Sequence, residues 1–378
     1  MVLPIRIIAL IIACAFMLAV ELPTRAQPAV LVRAGVLLAQ DTIVIGADGP
    51  LDVVELDSGR RETVEGGRLT ARAADAGIEI GPGVYSGTVR LLPRAGFLQI
   101  NGRPYRGILE LRRTPSGRLT AINEVDLEEY LYGVVKSEMN PSWPPEALRA
   151  QAVAARSLAV QSAGRFAAEG YDVRATTDSQ VYGGMAAEDP RTTAAVAATR
   201  GLVLLYDGRP AFAPYHTDSG GATESSEFVW GGAVPHLRGV SDPYSRSAPN
   251  HEWRMRMDLA TIEARLLRAG KPAVGLQRVE VLASSPSGRV MTLRAFTAGG
   301  AFDLRGNDFR NAIGSNTLRS TLFALRPAGD GTIEFAGRGF GHGVGMSQWG
   351  ARGQALAGRD HGEILRYYYT GVTIGPRP

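Results

Sequence analysis

The chain has 378 residues, 45% of them apolar, with 41 basic and 37 acidic side chains and a formal charge of +4. That length allows one large domain or two modest ones with a sizeable core. A charge this mild, with no long Lys/Arg run, excludes a nucleic-acid-binding stripe but does not repel a polyanionic wall or a membrane surface.

Taken in chain order, the first feature is Arg6 followed by the apolar run IIALIIACAFMLAV, residues 7–20. This is short for a membrane span, which needs about 20 residues, and suits the core of an export signal. Thr24 and Ala26 stand at the small-residue positions of a cleavage site. Residues 1–26 therefore read as a signal peptide, with an uncleaved anchor as the alternative. IIAC resembles a lipoprotein box, but apolar residues continue past Cys14. Either way the body of the protein is expected outside the cytoplasm, in periplasm or cell wall, and a membrane is a partner only if the segment is uncleaved. Cys14 is the only cysteine. Its removal with the signal excludes a disulfide framework, a cysteine zinc site and a thiol nucleophile.

From Val30 to about Ile122, short β-rich runs such as DTIVIG, GIEIG and RGILELRR alternate with Gly, Pro, Asn and Asp. This is strand and turn chemistry. Helices are predicted over about 126–138 and 145–168. A hairpin follows, turning through Asp207-Gly208. A helix is predicted over 258–269, strands near 277–283, 289–297 and 332–336, and a closing helix over 359–369. The class is α+β, strand-rich, with a helical pair beside a substrate cleft. The expected division is a β-rich region at 27–100 and a second domain at 101–378, which the family resemblance described below implies to be catalytic.

The first helix carries a carboxylate on its greasy stripe. Asp126 and Glu129 have capping-box spacing, and Leu127, Tyr130, Leu131, Val134 and Val135 fall at i, i+3, i+4, i+7 and i+8. Eleven residues past Leu127, nearly back on the starting face, stands Glu138. Pro141, Pro144 and Pro145 fix a rigid corner after it, with Trp143 beside the acid. A carboxyl desolvated there has a raised pKa and donates a proton near neutral pH. The second helix, ALRAQAVAARSLAV, is alanine-rich, so neighbours pack closely. Gln151 and Arg156 are its long polar side chains. Arg156 reads either as an ion-pair residue or as one that orients the acid or a substrate acetamido or lactyl group.

Three motifs resemble a known family: SEMNPSWPPEALRAQAVAARSLA at 137–159, YHTDSGGATESSEFVWGG at 215–232 with DSQVYGG at 178–184 before it, and GRGFGHGVGMSQWGA at 337–351. They resemble the stage II sporulation protein D / amidase enhancer family of bacterial cell-wall proteins, over roughly residues 100–370. The resemblance implies a lytic transglycosylase that cuts peptidoglycan glycan strands between N-acetylmuramic acid and N-acetylglucosamine. Sporulation members prefer strands stripped of stem peptides. The family's acid/base residue falls on Glu138, the residue that the stripe had singled out. The amidase-enhancer branch implies a second class of function, a non-catalytic wall-binding partner of an amidase. Peptidoglycan glycan strands are the partner the resemblance implies, with other cell-wall hydrolases or an amidase as further candidates.

His216, Asp218 and Ser219 lie within four residues of one another and tempt a triad reading. Triad members normally converge from distant segments, and DSGG is not a nucleophile elbow. The expectation is a substrate-lining turn carrying His216 and Ser219. Asp218, Glu224 and Glu227 remain candidates for a second carboxylate. Some relatives are associated with zinc through Cys and His around this motif. This chain lacks those cysteines, and its histidines show no HxH or HxxxH spacing, so neither a metal nor any other cofactor is expected. Trp143, Tyr182, Trp230 and Trp349 read as core or as aromatic faces for a pyranose, and family motifs favour Trp143 and Tyr182 as binding residues. Glycine at 337, 339, 341, 343 and 345 predicts an extended segment with one bare face. That face either packs against a neighbour or forms the wall of a glycan groove, with His342, Ser347 and Gln348 supplying hydrogen bonds.

Overall fold

The computed structural model describes residues 29–249 and 251–378, so the expected signal segment lies outside them. The fold is α+β, with several sheets and, among the described residues, eight α-helices. Three apolar cores organise it.

The first core is built from two antiparallel-rich sheets of seven and six strands. Strands Thr42–Ala47 and Leu51–Glu55 alternate buried and half-exposed residues, the period-two pattern of a sheet with one covered face. Ile43, Ile45, Leu51, Val53, Leu109 and Leu111 are among the side chains sealed inside. Leu31–Gln40 pairs with Leu119–Asp126, which pairs with Ile108–Arg113, which pairs with Val89–Pro93. The boundary expected at residue 100 therefore runs through hydrogen-bonded strands: both sheets are completed by residues on either side of it.

Helix α1, Leu127–Glu138, leaves this sheet directly. Asp126 caps it by accepting the Glu128 amide at 2.9 Å. Its stripe is buried as predicted and packs into the first core. Helix α2, Pro145–Gln161, begins at the proline corner. Its Ala152, Ala155 and Ala159 face the first core, while Ala150 and Ala154 face the second. Only small side chains allow backbone packing on two sides at once. The helix expected to reach residue 168 stops at Gln161, because Gly164 turns into the left-handed region at φ +74°.

The second core gathers α2, the hairpin, and three helices: α3 (Pro190–Ala198), α7 (Gln348–Leu356) and α8 (His361–Tyr368). The hairpin turns where predicted, with Asp207 and Gly208 at φ +49° and +75°, as a two-residue turn of this hand requires. The third core lies within residues 253–335 and holds the predicted helix α5 (Leu259–Arg268) together with α6 (Gly306–Ile313). A one-turn helix, α4 (Ser226–Trp230), lies near the end of the second motif. None of the described helices is long and apolar enough to cross a membrane.

The glycine stretch differs from expectation. Its regular strand, Thr332–Arg338, ends at the first glycine pair, and Gly339, Gly341, Gly343 and Gly345 all take positive φ, from +71° to +115°. The chain alternates left-handed glycines with ordinary residues instead of running as a flat strand. A Cβ on Gly345 would stand 2.1 Å from the Pro214 carbonyl oxygen, and one on Gly341 would stand 2.7 Å from the His216 Cβ. The glycines therefore wedge this loop against the YHTDSGG segment, to which it is also tied by Tyr215–Met346 and His216–Ser347 pairing.

Candidate functional site

Glu138 is the last residue of α1, and the extended backbone of Met139 turns the chain away behind it. Its side chain is half-buried on the wall of a cavity of about 1260 Å³. The Val181 N–H donates to its Oε1 at 2.8 Å, and the Tyr215 and Gln348 side chains also hydrogen-bond to it. Gln180 Nε2 donates to the Tyr215 oxygen at 3.1 Å, which directs the phenolic proton to Glu138. Gln180 is itself fixed by the Ala155 carbonyl and by Tyr130. Gln348 Nε2 reaches Gln151 Oε1 at 3.5 Å. Burial pushes the Glu138 carboxyl above its usual range and outweighs the three donors, which act the other way.

The same cavity is lined by His216 and His342, whose rings lie 5.5 Å apart. His216 Nδ1 lies 3.2 Å from the Val344 carbonyl oxygen, and its Nε2 is buried without a partner. His342 Nδ1 accepts the Val344 N–H at 3.1 Å, and its ring also bonds the Tyr215 carbonyl. Burial, then the nearby positive charge of Arg310, brings His342 down to about 4. His216 is lowered well below its ordinary value, chiefly by burial, so both imidazoles are neutral near pH 7. The end of α2 and residues 162–165, residues 177–179 and α6 complete the lining.

Of the residues expected to bind ligand, only His216, His342 and Gln348 line this cavity, and Gln151 stands immediately behind Gln348. Arg156 does not orient the acid. It is 1% exposed and forms a bidentate pair with Glu128 at 2.7 and 2.8 Å, with further bonds to the Val196 and Leu202 carbonyls. Tyr182 is a core residue, its hydroxyl donating to Asn123 and its ring packed on Tyr130. Trp143 stacks edge-on with Trp349 under Arg352, away from the cavity. Ser219 donates to the buried carboxylate of Asp242 at 2.7 Å. Ser347 caps α7 by accepting the Gly350 N–H. Neither serine lines the cavity, and no nucleophilic triad forms: His216 points to Val344, while the ring beside Asp218 is that of His251.

The three spare carboxylates are also committed elsewhere. Asp218 faces His251, Glu227 pairs with Arg238 at 2.6 Å, and Glu224 is held by Ser285, Ser287 and the Ser225 amide. The cavity's second carboxylate is Asp178, exposed and 3.4 Å from Arg174. Sequence reasoning missed Tyr215, Gln180 and Arg310. Tyr215 and Gln180 stood inside the quoted motifs, and their signal was a phenol and an amide flanking the two segments that close on Glu138.

Comparison with known proteins places these features in a family. Residues 115–206, which contain Glu138 and both helices beside it, match the family described as stage II sporulation protein. Residues 240–345, largely the third core, match a domain of unknown function. The stage II sporulation protein D of Bacillus subtilis is 35% identical over 271 residues, covering 67% of this chain and 76% of that protein. An uncharacterized protein of Brachyspira hyodysenteriae is 34% identical over 293 residues, 77% of each chain. A protein named amidase enhancer, also from Bacillus subtilis, is 30% identical over 292 residues, covering 65% of this chain but 40% of that longer one. By the extent of these matches, the chain belongs to the stage II sporulation protein D family.

Proposed function

We propose that this chain is an exported lytic transglycosylase that cleaves the glycosidic bond between N-acetylmuramic acid and N-acetylglucosamine in peptidoglycan, with Glu138 as its single acid/base. The observation that carries the reading is a half-buried carboxyl of raised pKa on the wall of a glycan-sized cavity. In the protonated state Glu138 donates to the glycosidic oxygen, and the C1–O bond breaks with the electron pair leaving on that oxygen. The carboxylate then takes the proton of the muramyl C6 hydroxyl as O6 bonds to C1, giving a 1,6-anhydro end and restoring the acid. One group serves both steps and no water is consumed, so the second carboxylate of a hydrolytic glycosidase is unnecessary. The Val181 N–H and the Tyr215 and Gln348 side chains favour the carboxylate once the proton has left. Neutral His216 and His342 supply hydrogen bonds rather than charge.

The relative named amidase enhancer supports a second reading, a wall-binding protein that acts through an amidase. The two separate on incubation of the purified protein with peptide-free glycan strands and mass analysis of the ends. Anhydromuramyl ends are expected from the wild type and at least about 100-fold fewer from Glu138→Gln. An unchanged yield in Glu138→Gln would remove this residue from the chemistry. No product from either protein, with glycan binding intact, would leave the binding role.

A further inference from the structure

Three arginines among the described residues are 7% exposed or less: Arg156, Arg289 and Arg310. Burying a guanidinium is costly unless an anion offsets it. Arg156 has Glu128. Arg289 has the carboxylates of Glu224 and Asp218 nearby. Arg310, on α6, forms no ion pair among the described residues. Its Nε donates to the Leu318 and Arg319 carbonyls and its Nη2 to Ser315, which fixes the group in place without neutralising it. It also lines the Glu138 cavity. Its positive charge is felt by both cavity histidines, so it faces their wall.

Two neighbours indicate what kind of anion fits. Trp230 is 40% exposed, lines the cavity and stacks at 5.3 Å on His342, offering an apolar face to a sugar ring. Asn307, three residues before Arg310 on the same helical face, also lines the cavity and adds an amide. A fixed guanidinium that shares its cavity with an aromatic face and a neutral amide suits a saccharide that carries a carboxylate.

We propose that Arg310 forms a subsite for the free lactyl carboxylate of a muramyl residue, with Trp230 against the pyranose. This rests on the glycan reading above. It makes α6 the element that distinguishes a peptide-free strand, whose lactyl group is ionised, from a peptide-bearing one, whose lactyl carbonyl is a neutral amide.

The test measures binding by titration calorimetry, with Glu138→Gln as host so that ligand is not consumed. The probes are a peptide-free GlcNAc–MurNAc oligosaccharide, the same oligosaccharide with its lactyl groups converted to methylamides, and a GlcNAc oligomer. The host is expected to bind the free acid about tenfold tighter than the methylamide. Arg310→Gln and Asn307→Asp, which places a carboxylate beside the retained guanidinium, are each expected to bring that ratio near one. Both are expected to leave affinity for the GlcNAc oligomer within about threefold. Thermal denaturation identifies a variant that has lost its fold, and the other then decides. A ratio near one in the host, or a tenfold ratio surviving in either folded variant, overturns the proposal and leaves the glycan reading standing. If the host binds none of the three, the glycan reading fails and this one with it.

Discussion

Glu138 sits under opposing influences: burial favours its neutral form, and three hydrogen-bond donors favour its charged form, with burial the larger. A carboxyl whose pKa rises on folding from its ordinary 4.5 binds more protons folded than unfolded just above that value, so stability falls as pH rises through the window. Glu138→Gln keeps an oxygen for the Val181 N–H and removes the charge. It is expected to melt higher than the wild type at pH 7, and the gain is expected to shrink at pH 4; an equal gain at both would contradict the raised pKa. This residue was legible because a helix repeats its faces: the stripe from Leu127 had to end on Glu138. Tyr215 and Gln180 were not, since the bond of Tyr215 to the acid and that of Gln180 to Tyr215 close across long sequence separations that no local period records. Of the two readings open for Arg156, the ion-pair one holds, and its partner Glu128, on the preceding helix, is buried with it.

Elements with strong periodicity were recovered nearly to their ends: α1, the hairpin, α5 and α8. Helix α7 was missed because Gly350 and Gly353 are poor helix formers. They are tolerated because a Cβ on Gly350 would meet the Tyr368 hydroxyl at 2.0 Å, and one on Gly353 the Tyr244 carbonyl oxygen at 2.2 Å. The glycine loop shows a different limit. A flat strand with a bare face and a chain alternating left-handed with ordinary residues place glycine at the same spacing, and only tertiary contacts separate them. Gly345→Ala is the sharpest test of the observed form. Its Cβ would meet the Pro214 oxygen while the backbone holds φ +71°. A loss of about 2 kcal/mol or more is expected in urea denaturation. A loss below about 0.5 kcal/mol would mean that the loop relaxes freely.

At the scale of the molecule, the candidate site draws on all three cores. Glu138 leaves the first on α1, Tyr215 and Gln348 are fixed by the second, and α6 of the third brings Arg310 to the same cavity. The family resemblance was legible from about residue 100 onward, but the fold does not begin there. A chain of residues 101–378 would lose Leu31–Gln40 from beside Leu119–Asp126, and with it the sheet from which α1 springs. Such a chain is expected to show no cooperative thermal transition and no glycan cleavage; a cooperative melt would make the later region autonomous. The hydrogen bond from Gln348 to Glu138 has one more consequence. Residue 348 is synthesised well after Glu138. A polypeptide that has not yet reached residue 348 lacks this partner of Glu138, so the environment of the acid is complete only when α7 docks. On the glycan reading proposed above, an enzyme able to cut the wall would gain its buried acid only once that later segment has docked.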